Sequence, residues 1–324
     1  MRRALRLVLM FPRLALSLGL SLLALATSAQ TGQRAYVPNE EAGSISVIDT
    51  DTDRVLETWK VGGKPRGIAA SRDGSVLWIS DKAGNALHLH DARTSRRLRT
   101  LPLGESPEGI ALSHDGRWLA AAVELHNAVV LVDTAAQDIA ATVPTEGKNP
   151  EHAVFSPDGR LLFVSAEDAS QVDVVDVAAR RQVASLLVGK RPRGIGFTPD
   201  GRRAYVACEV DGAVYAVDVP TLKVVSRTPV DAFPNGVAVQ PDGRGVWVSR
   251  GRKAAVSLIE VGADRVVADV EVGQRPWNMA LTADGRKLYV ANGRSGTVTV
   301  VDVSTRSPLG HITVGAAPWG VVIP

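Results

Sequence analysis

The chain has 324 residues, 45% hydrophobic and 22% charged, with 37 Lys and Arg against 34 Asp and Glu. Four of those cations, Arg2, Arg3, Arg6 and Arg13, lie in the first 29 residues, which leaves 33 against 34 beyond them. That near-neutral remainder argues against nucleic acid or an anionic membrane as the partner. The single cysteine, Cys208, excludes an internal disulfide, a CxxC zinc site and a CxxCH haem attachment.

Residues 1–29 read as a secretory signal. Arg2, Arg3 and Arg6 form a basic start, Leu14 to Ala26 an apolar run, and Thr27-Ser28-Ala29 a small-residue cleavage site. The apolar run falls short of the roughly 20 residues of a spanning helix, so no membrane span is expected after cleavage. The expected location is the bacterial periplasm or the medium, with residues 30–324 forming one domain.

From Arg34 onward one phrase returns. Its proline falls at Pro65, Pro107, Pro150, Pro192, Pro234, Pro276 and Pro318, in steps of 42, 43, 42, 42, 42 and 42 residues. Behind each proline runs an inner segment such as Gly67-Ile68-Ala69-Ala70. Then come an Asp-Gly turn such as Asp73-Gly74, a second strand such as Leu77-Trp78-Ile79, a polar loop, a third strand ending in Asp91, and a fourth. Glycine supplies the positive φ that such a turn needs. A fixed period of this length built from short strands signals a propeller or a solenoid. Second strands, centred on Tyr36, Trp78, Ala120, Phe163, Tyr205, Trp247 and Tyr289, occur seven times. Ala35-Tyr36-Val37 has no inner strand before it, and Gly320-Val321-Val322-Ile323 has no partner after it. Joining these loose ends completes one blade and removes the sheet edge. The expected fold is an all-β, seven-bladed β-propeller with four antiparallel strands per blade, closed by its N- and C-terminal segments.

The motifs Leu288-Tyr289-Val290-Ala291-Asn292 and Tyr36-Val37-Pro38-Asn39, with Pro-x-Gly, Asp-Gly and Val-x-Val-Val-Asp, resemble the YVTN-type β-propeller repeat. That resemblance implies kinship with extracytoplasmic binding propellers, surface-layer proteins and the haem d1 domain of nitrite reductases. Asn39 to Asp49, Lys64-Pro65-Arg66-Gly67-Ile68 and Pro318-Trp319-Gly320-Val321-Val322 are also similar to propellers associated with PQQ-dependent alcohol catabolism. A role accessory to such a system is implied by that resemblance alone.

The seven copies act as controls on one another. The aspartates Asp49, Asp91, Asp133, Asp176, Asp218 and Asp302 recur at the end of the third strand and read as turn-forming scaffold. The residue after each proline varies instead: Arg66, Glu108, Glu151, Arg193, Asn235, Trp277 and Trp319. The next is glycine except at His152 and Asn278. These residues are expected to ring one mouth of the central channel and to bind a small ligand or a protein partner. The one-residue insertion falls near Thr142 to Glu146, beside His152. Loops on the same face are acidic in blades three to five, with Glu124, Glu167 and Glu209, and basic in blades six and seven, with Arg250, Arg252 and Arg294. Such a division would orient a charged partner.

His126 and His152, with Glu108 or Glu151, are candidates for holding a transition metal or a haem iron, since imidazole and carboxylate suit zinc, copper or iron. Trp277 and Trp319 could stack on a flat ligand or pack between strands. No Gly-x-Ser-x-Gly elbow, Walker loop or HExxH occurs. The expected function is therefore a monomeric, non-enzymatic binding or scaffold module. The alternatives are a haem d1-like or metal-binding propeller, a lactonase-like enzyme, and a single-stranded nucleic-acid binder.

Overall fold

The computed structural model describes residues 33–231 and 233–324. The signal segment, 1–29, lies outside the described residues. Among these, no helix is long and apolar enough to cross a membrane.

Seven antiparallel sheets follow one another in chain order. Blade 2 shows the pattern, with an inner strand Pro65–Ala70, a second Val76–Asp81, a third Ala86–Asp91 and an outer Arg97–Pro102. Blades 3 to 7 repeat it from Pro107, Pro150, Pro192, Pro234 and Pro276. Blade 1 holds three chain-initial strands, Arg34–Asn39, Ser44–Asp49 and Arg54–Lys60. Its inner position is filled from the other end. The Tyr36 N–H donates to Val322 O at 2.9 Å and the Val322 N–H returns to Tyr36 O at 3.0 Å. The Trp319 N–H reaches Pro38 O at 2.9 Å. The closure expected from the unmatched ends is therefore present.

The period-2 pattern explains the packing. Second and third strands are buried on both faces because a blade lies on each side. Outer strands bury little, as in Arg97–Pro102, where only Leu101 is covered. The core is a set of layers between neighbouring blades. Leu87, Leu89 and Trp78 pack on Leu119, Ala121 and Val130 of the next blade. The closing layer sets Ala35, Val37 and Ile48 against Tyr289, Val298 and Val300.

The repeated polar residues are scaffold, as expected. Asp91 Oδ1 accepts the backbone N–H groups of Arg93 and Thr94 at 2.9 and 2.8 Å. Each Asp-Gly turn takes a specific form. Ser71–Gly74 closes with the Gly74 N–H on Ser71 O at 2.8 Å, and the glycine follows in the left-handed region at φ 65°. Asp73 caps it by accepting from Ser71 Oγ at 2.6 Å and the Ser75 N–H at 3.1 Å. The sole helical turn among the described residues is a short 3-10 segment, Glu124–His126.

Candidate functional site

Strand register builds the site. Each inner-strand proline pairs with the last residue of the second strand, as Pro65 does with Asp81, and regular pairing resumes only at Ile68. The two residues between are released from the ladder, except in blade 4, where His152 pairs with Ser165 and only Glu151 is released. The glycine of the pair is needed for space. A Cβ on Gly67 would lie 2.6 Å from Glu108 O, and one on Gly236 would lie 2.4 Å from Trp277 O. Each glycine thus lets the next inner strand approach.

The structure places Arg66 and Glu108 in one ion-pair cluster and Glu151 and Arg193 in a second. Arg66 pairs with Glu108 and lies 3.2 Å from Glu40, across three blades. Lys82 adds contacts of 2.7 Å to Glu108 and 3.4 Å to Glu124. Arg193 lies 2.6 Å from Glu151 and 3.0 Å from both Glu167 and Glu209. Arg191 pairs with Glu167 and with Glu209 at 3.2 Å, and Arg275 reaches Glu209 at 2.8 Å. Six carboxylates thus face five cations, one negative charge in excess. The carboxyl best placed to take up a proton is Glu108. Burial and then repulsion from Glu151 raise it to about 7, against the pull of Arg66 and Lys82. Glu151 is held low despite burial, chiefly by Arg193.

His152 and Trp319 close the channel at this level. They come from blades 4 and 1, yet their rings stack with centroids 5.4 Å apart at 14°. The Arg66 guanidinium lies 5.8 Å over the Trp319 ring. Asn278 donates to Trp319 O at 3.3 Å from blade 7. Both His152 ring nitrogens are sealed from solvent, with no hydrogen bond of normal geometry and only Asn278 nearby as a polar neighbour. Burial first, with Arg193 and Arg66 adding to it against Glu151, depresses His152 to about 4 and leaves it neutral at pH 7. The two positions that break the glycine rule therefore plug the channel with Trp319. Asn235 is buried as well, like Glu108, Glu151 and Trp319.

Beside this plug, a recess of about 630 Å³ opens on blades 5 to 7. Its walls include Arg191, Arg252, Arg275 and Arg294, with Glu209, Phe233 and Trp277. Arg252 lies 3.6 Å over the Phe233 ring. Among the described residues, neither Arg252 nor Arg294 has a carboxylate partner.

Of this recess, the mouth pattern anticipates only Trp277, with Arg252, Arg294 and Glu209 read as loop charge. Arg191, Phe233 and Arg275 occupy a different slot, the residue before each proline. It takes a left-handed conformation in six blades, at φ 58° for Ser106, 55° for Asn149, 60° for Arg191, 63° for Phe233, 54° for Arg275 and 55° for Ala317. A bulky side chain there costs about 1–2 kcal/mol. Large residues in this slot in consecutive blades are the signal that comparison of the repeats could have found. A second signal follows the second strand. Glu40, Lys82, Glu124, Glu167 and Glu209 stand there in blades 1 to 5, but Gly251 and Gly293 stand there in blades 6 and 7, each before an arginine.

The expected metal pair is not assembled. His126 is exposed beside Gly104, its Nε2 accepting weakly from the Glu105 N–H at 3.5 Å, whereas His152 lies against Trp319. Among the described residues, no three His, Cys, Asp or Glu side chains converge as metal ligands. The reason is geometric, because His126 sits on a loop outside the ring of inner strands. A haem iron finds no axial donor at the mouth either, since the His152 nitrogens are sealed. His88 is held by Asp81 and Thr100, His90 by Ser95 O, His114 by Arg72 and His311 by Thr299, all structural roles. The insertion lies in 145–149, after the outer strand Asp138–Pro144, where the Gly147 N–H bonds Asp173 at 2.7 Å.

Two family models match parts of the chain. One, described as "Lactonase, 7-bladed beta-propeller", matches residues 179–314. The other, described as "Cytochrome D1 heme domain", matches residues 119–237. No curated protein matches. Among solved structures, a chain of Kuenenia stuttgartiensis hydrazine synthase is similar at TM-score 0.78 and 22% identity, covering 85% of this chain and 93% of that one. A functionally unknown protein from Desulfotomaculum acetoxidans DSM 771 is similar at 0.79 and 18%, covering 90% and 99%. The dihydro-heme d1 dehydrogenase NirN, in complex with DHE, is similar at 0.67 and 16%, covering 92% and 76%. At these identities the likeness shows the propeller fold.

Proposed function

We propose that the protein binds a small carboxylate-bearing molecule in the recess of blades 5 to 7, and that its chemistry is of lactonase type, in which water adds to the lactone carbonyl, the ring acyl C–O bond breaks, and the hydroxy acid forms with its acid proton released to solvent. The observation that carries this reading is the recess itself, lined by four arginines, of which Arg191 and Arg275 hold the buried Glu209 carboxylate. Guanidinium presents a planar fork that matches a carboxylate in two parallel hydrogen bonds. Glu209 is already held by Arg191, Arg193 and Arg275, so it orients the guanidiniums and leaves Arg252 and Arg294 for an incoming anion. Every residue lining the recess lies within the span matched by the lactonase model. In this reading the arginines anchor the substrate carboxylate and stabilise the negative charge that develops on the lactone carbonyl oxygen.

The non-enzymatic, PQQ-associated scaffold expected from sequence resemblance gains no support from the recess or from the similar proteins. A haem reading meets the obstacle of the sealed His152. Export to the periplasm remains part of the proposal and is tested by sequencing the mature N-terminus.

The experiment follows ring opening of γ-lactones with and without a carboxylate substituent, by proton release at neutral pH. The expected result is turnover of the carboxylated lactone only, with a loss of roughly 100-fold in Arg294→Gln, the range for removing one charge-stabilising donor. Turnover that ignores the carboxylate, or an unaffected Arg294→Gln enzyme, would overturn the reading.

A further inference from the structure

The recess has a shape preference as well as a charge, a point that rests on the carboxylate reading above. Gly251 and Gly293 open the turns that follow the second strands, but neither has the positive φ that would require glycine there. Their use is space. A Cβ on Gly293 would lie 2.5 Å from the Trp277 ring, and one on Gly251 would lie 3.2 Å from the Arg275 guanidinium. Glycine in these two blades therefore lets the indole lie flat against the loop of blade 7 and lets Arg275 reach across blade 6. In blades 1 to 5 a larger residue occupies this slot.

The result is one flat aromatic wall, Trp277, with two uncommitted guanidiniums, Arg252 and Arg294, on adjacent loops of the same recess. Arg252 itself lies over the Phe233 ring, 3.6 Å from its centroid, and the Phe233 backbone is left-handed at φ 63°. Stacking on an aromatic face fixes a guanidinium plane without neutralising its charge. Trp277 remains half-buried with part of its surface open. We infer that the recess selects a planar aromatic polycarboxylate, with its ring stacked on Trp277 and its carboxylates on Arg252 and Arg294. A saturated acid of equal charge satisfies the arginines but not the wall.

The test is calorimetric titration at low ionic strength with benzene-1,2,4-tricarboxylate and cyclohexane-1,2,4-tricarboxylate, with indole fluorescence as a second readout. The wild type is expected to bind the aromatic acid about tenfold more tightly, the scale of one base-on-aromatic stack. Trp277→Leu should abolish that preference while leaving the saturated acid unchanged, and Trp277→Phe should restore part of it. Arg252→Gln combined with Arg294→Gln should weaken both acids by at least about tenfold, as expected on losing charge-assisted contacts. Arg286→Gln, on the opposite face, should change neither. Equal binding of the two acids, or a preference that survives Trp277→Leu, overturns the aromatic inference and leaves the carboxylate reading standing. Binding of neither acid overturns both.

Discussion

Replacing Arg193 by methionine removes the cation that three buried carboxylates share. Their side chains are 6%, 7% and 2% exposed for Glu151, Glu167 and Glu209. The cost is not three times that of one broken pair. Glu167 keeps Arg191, and Glu209 keeps both Arg191 and Arg275. Only Glu151 loses its sole direct ion-pair partner. One uncompensated buried charge costs about 3–5 kcal/mol, which lowers Tm by roughly 6–20 °C for a domain of this size. The pH dependence identifies the cause. In the native protein Glu151 lies below its ordinary value, so its contribution is present above that value and is lost as pH falls through the lowered one. In Arg193→Met the same carboxyl sits above its ordinary value, and acid then relieves the strain. The difference in Tm between wild type and variant should therefore shrink from pH 8 to pH 5, read by thermal denaturation followed by circular dichroism. A pH-independent deficit, or one below about 1 kcal/mol, the level of an exposed pair, would refute the buried-network account.

Three further outcomes follow from the same geometry. Glu108 sits at about 7, above its ordinary 4.5, so its contribution is full below the ordinary value and is lost as pH rises through 7; Glu108→Gln should flatten the stability profile between pH 5 and 7, measured by urea unfolding. Gly67→Ala places a methyl 2.6 Å from Glu108 O and should cost about 3 kcal/mol, the upper end of overpacking, whereas Gly116→Ala meets open space at φ 73° and should cost only about 1 kcal/mol. Truncation after Gly315 removes the strand that pairs with Tyr36 and Pro38, and hydrogen exchange should show lost protection across Arg34–Asn39 first, with the outer strands of blades 3 to 5 least affected.

The fold was legible because its cause is repeated. Proline at the inner-strand start and Asp-Gly at the first turn are local requirements met in successive copies, and the unmatched strands at the two ends left only one way to close the ring. The mouth was legible in part. Arg66, Glu108, Glu151, Arg193 and Trp319 come together because the slot after the proline has a fixed direction. What they pair with was not legible, since the partners Glu40, Lys82, Glu124, Glu167 and Glu209 sit on other blades and look like ordinary loop charge. The recess was hidden for a different reason. A residue before proline is expected to be extended, yet here it turns left-handed and carries Arg191, Phe233 and Arg275 toward the same face. His152 breaks the glycine pattern, and in the structure its role is steric. It fills the axis with Trp319 and does not approach His126.

The most direct measurement is a crystal structure of the protein soaked with a carboxylated γ-lactone or its hydroxy acid. The account predicts density in the recess of blades 5 to 7, with carboxylate oxygens about 2.7–2.9 Å from the guanidinium of Arg252 or Arg294, the distance of a charge-assisted hydrogen bond. Ligand density at the opposite mouth alone, or an ordered recess that stays empty at saturating ligand, would contradict it.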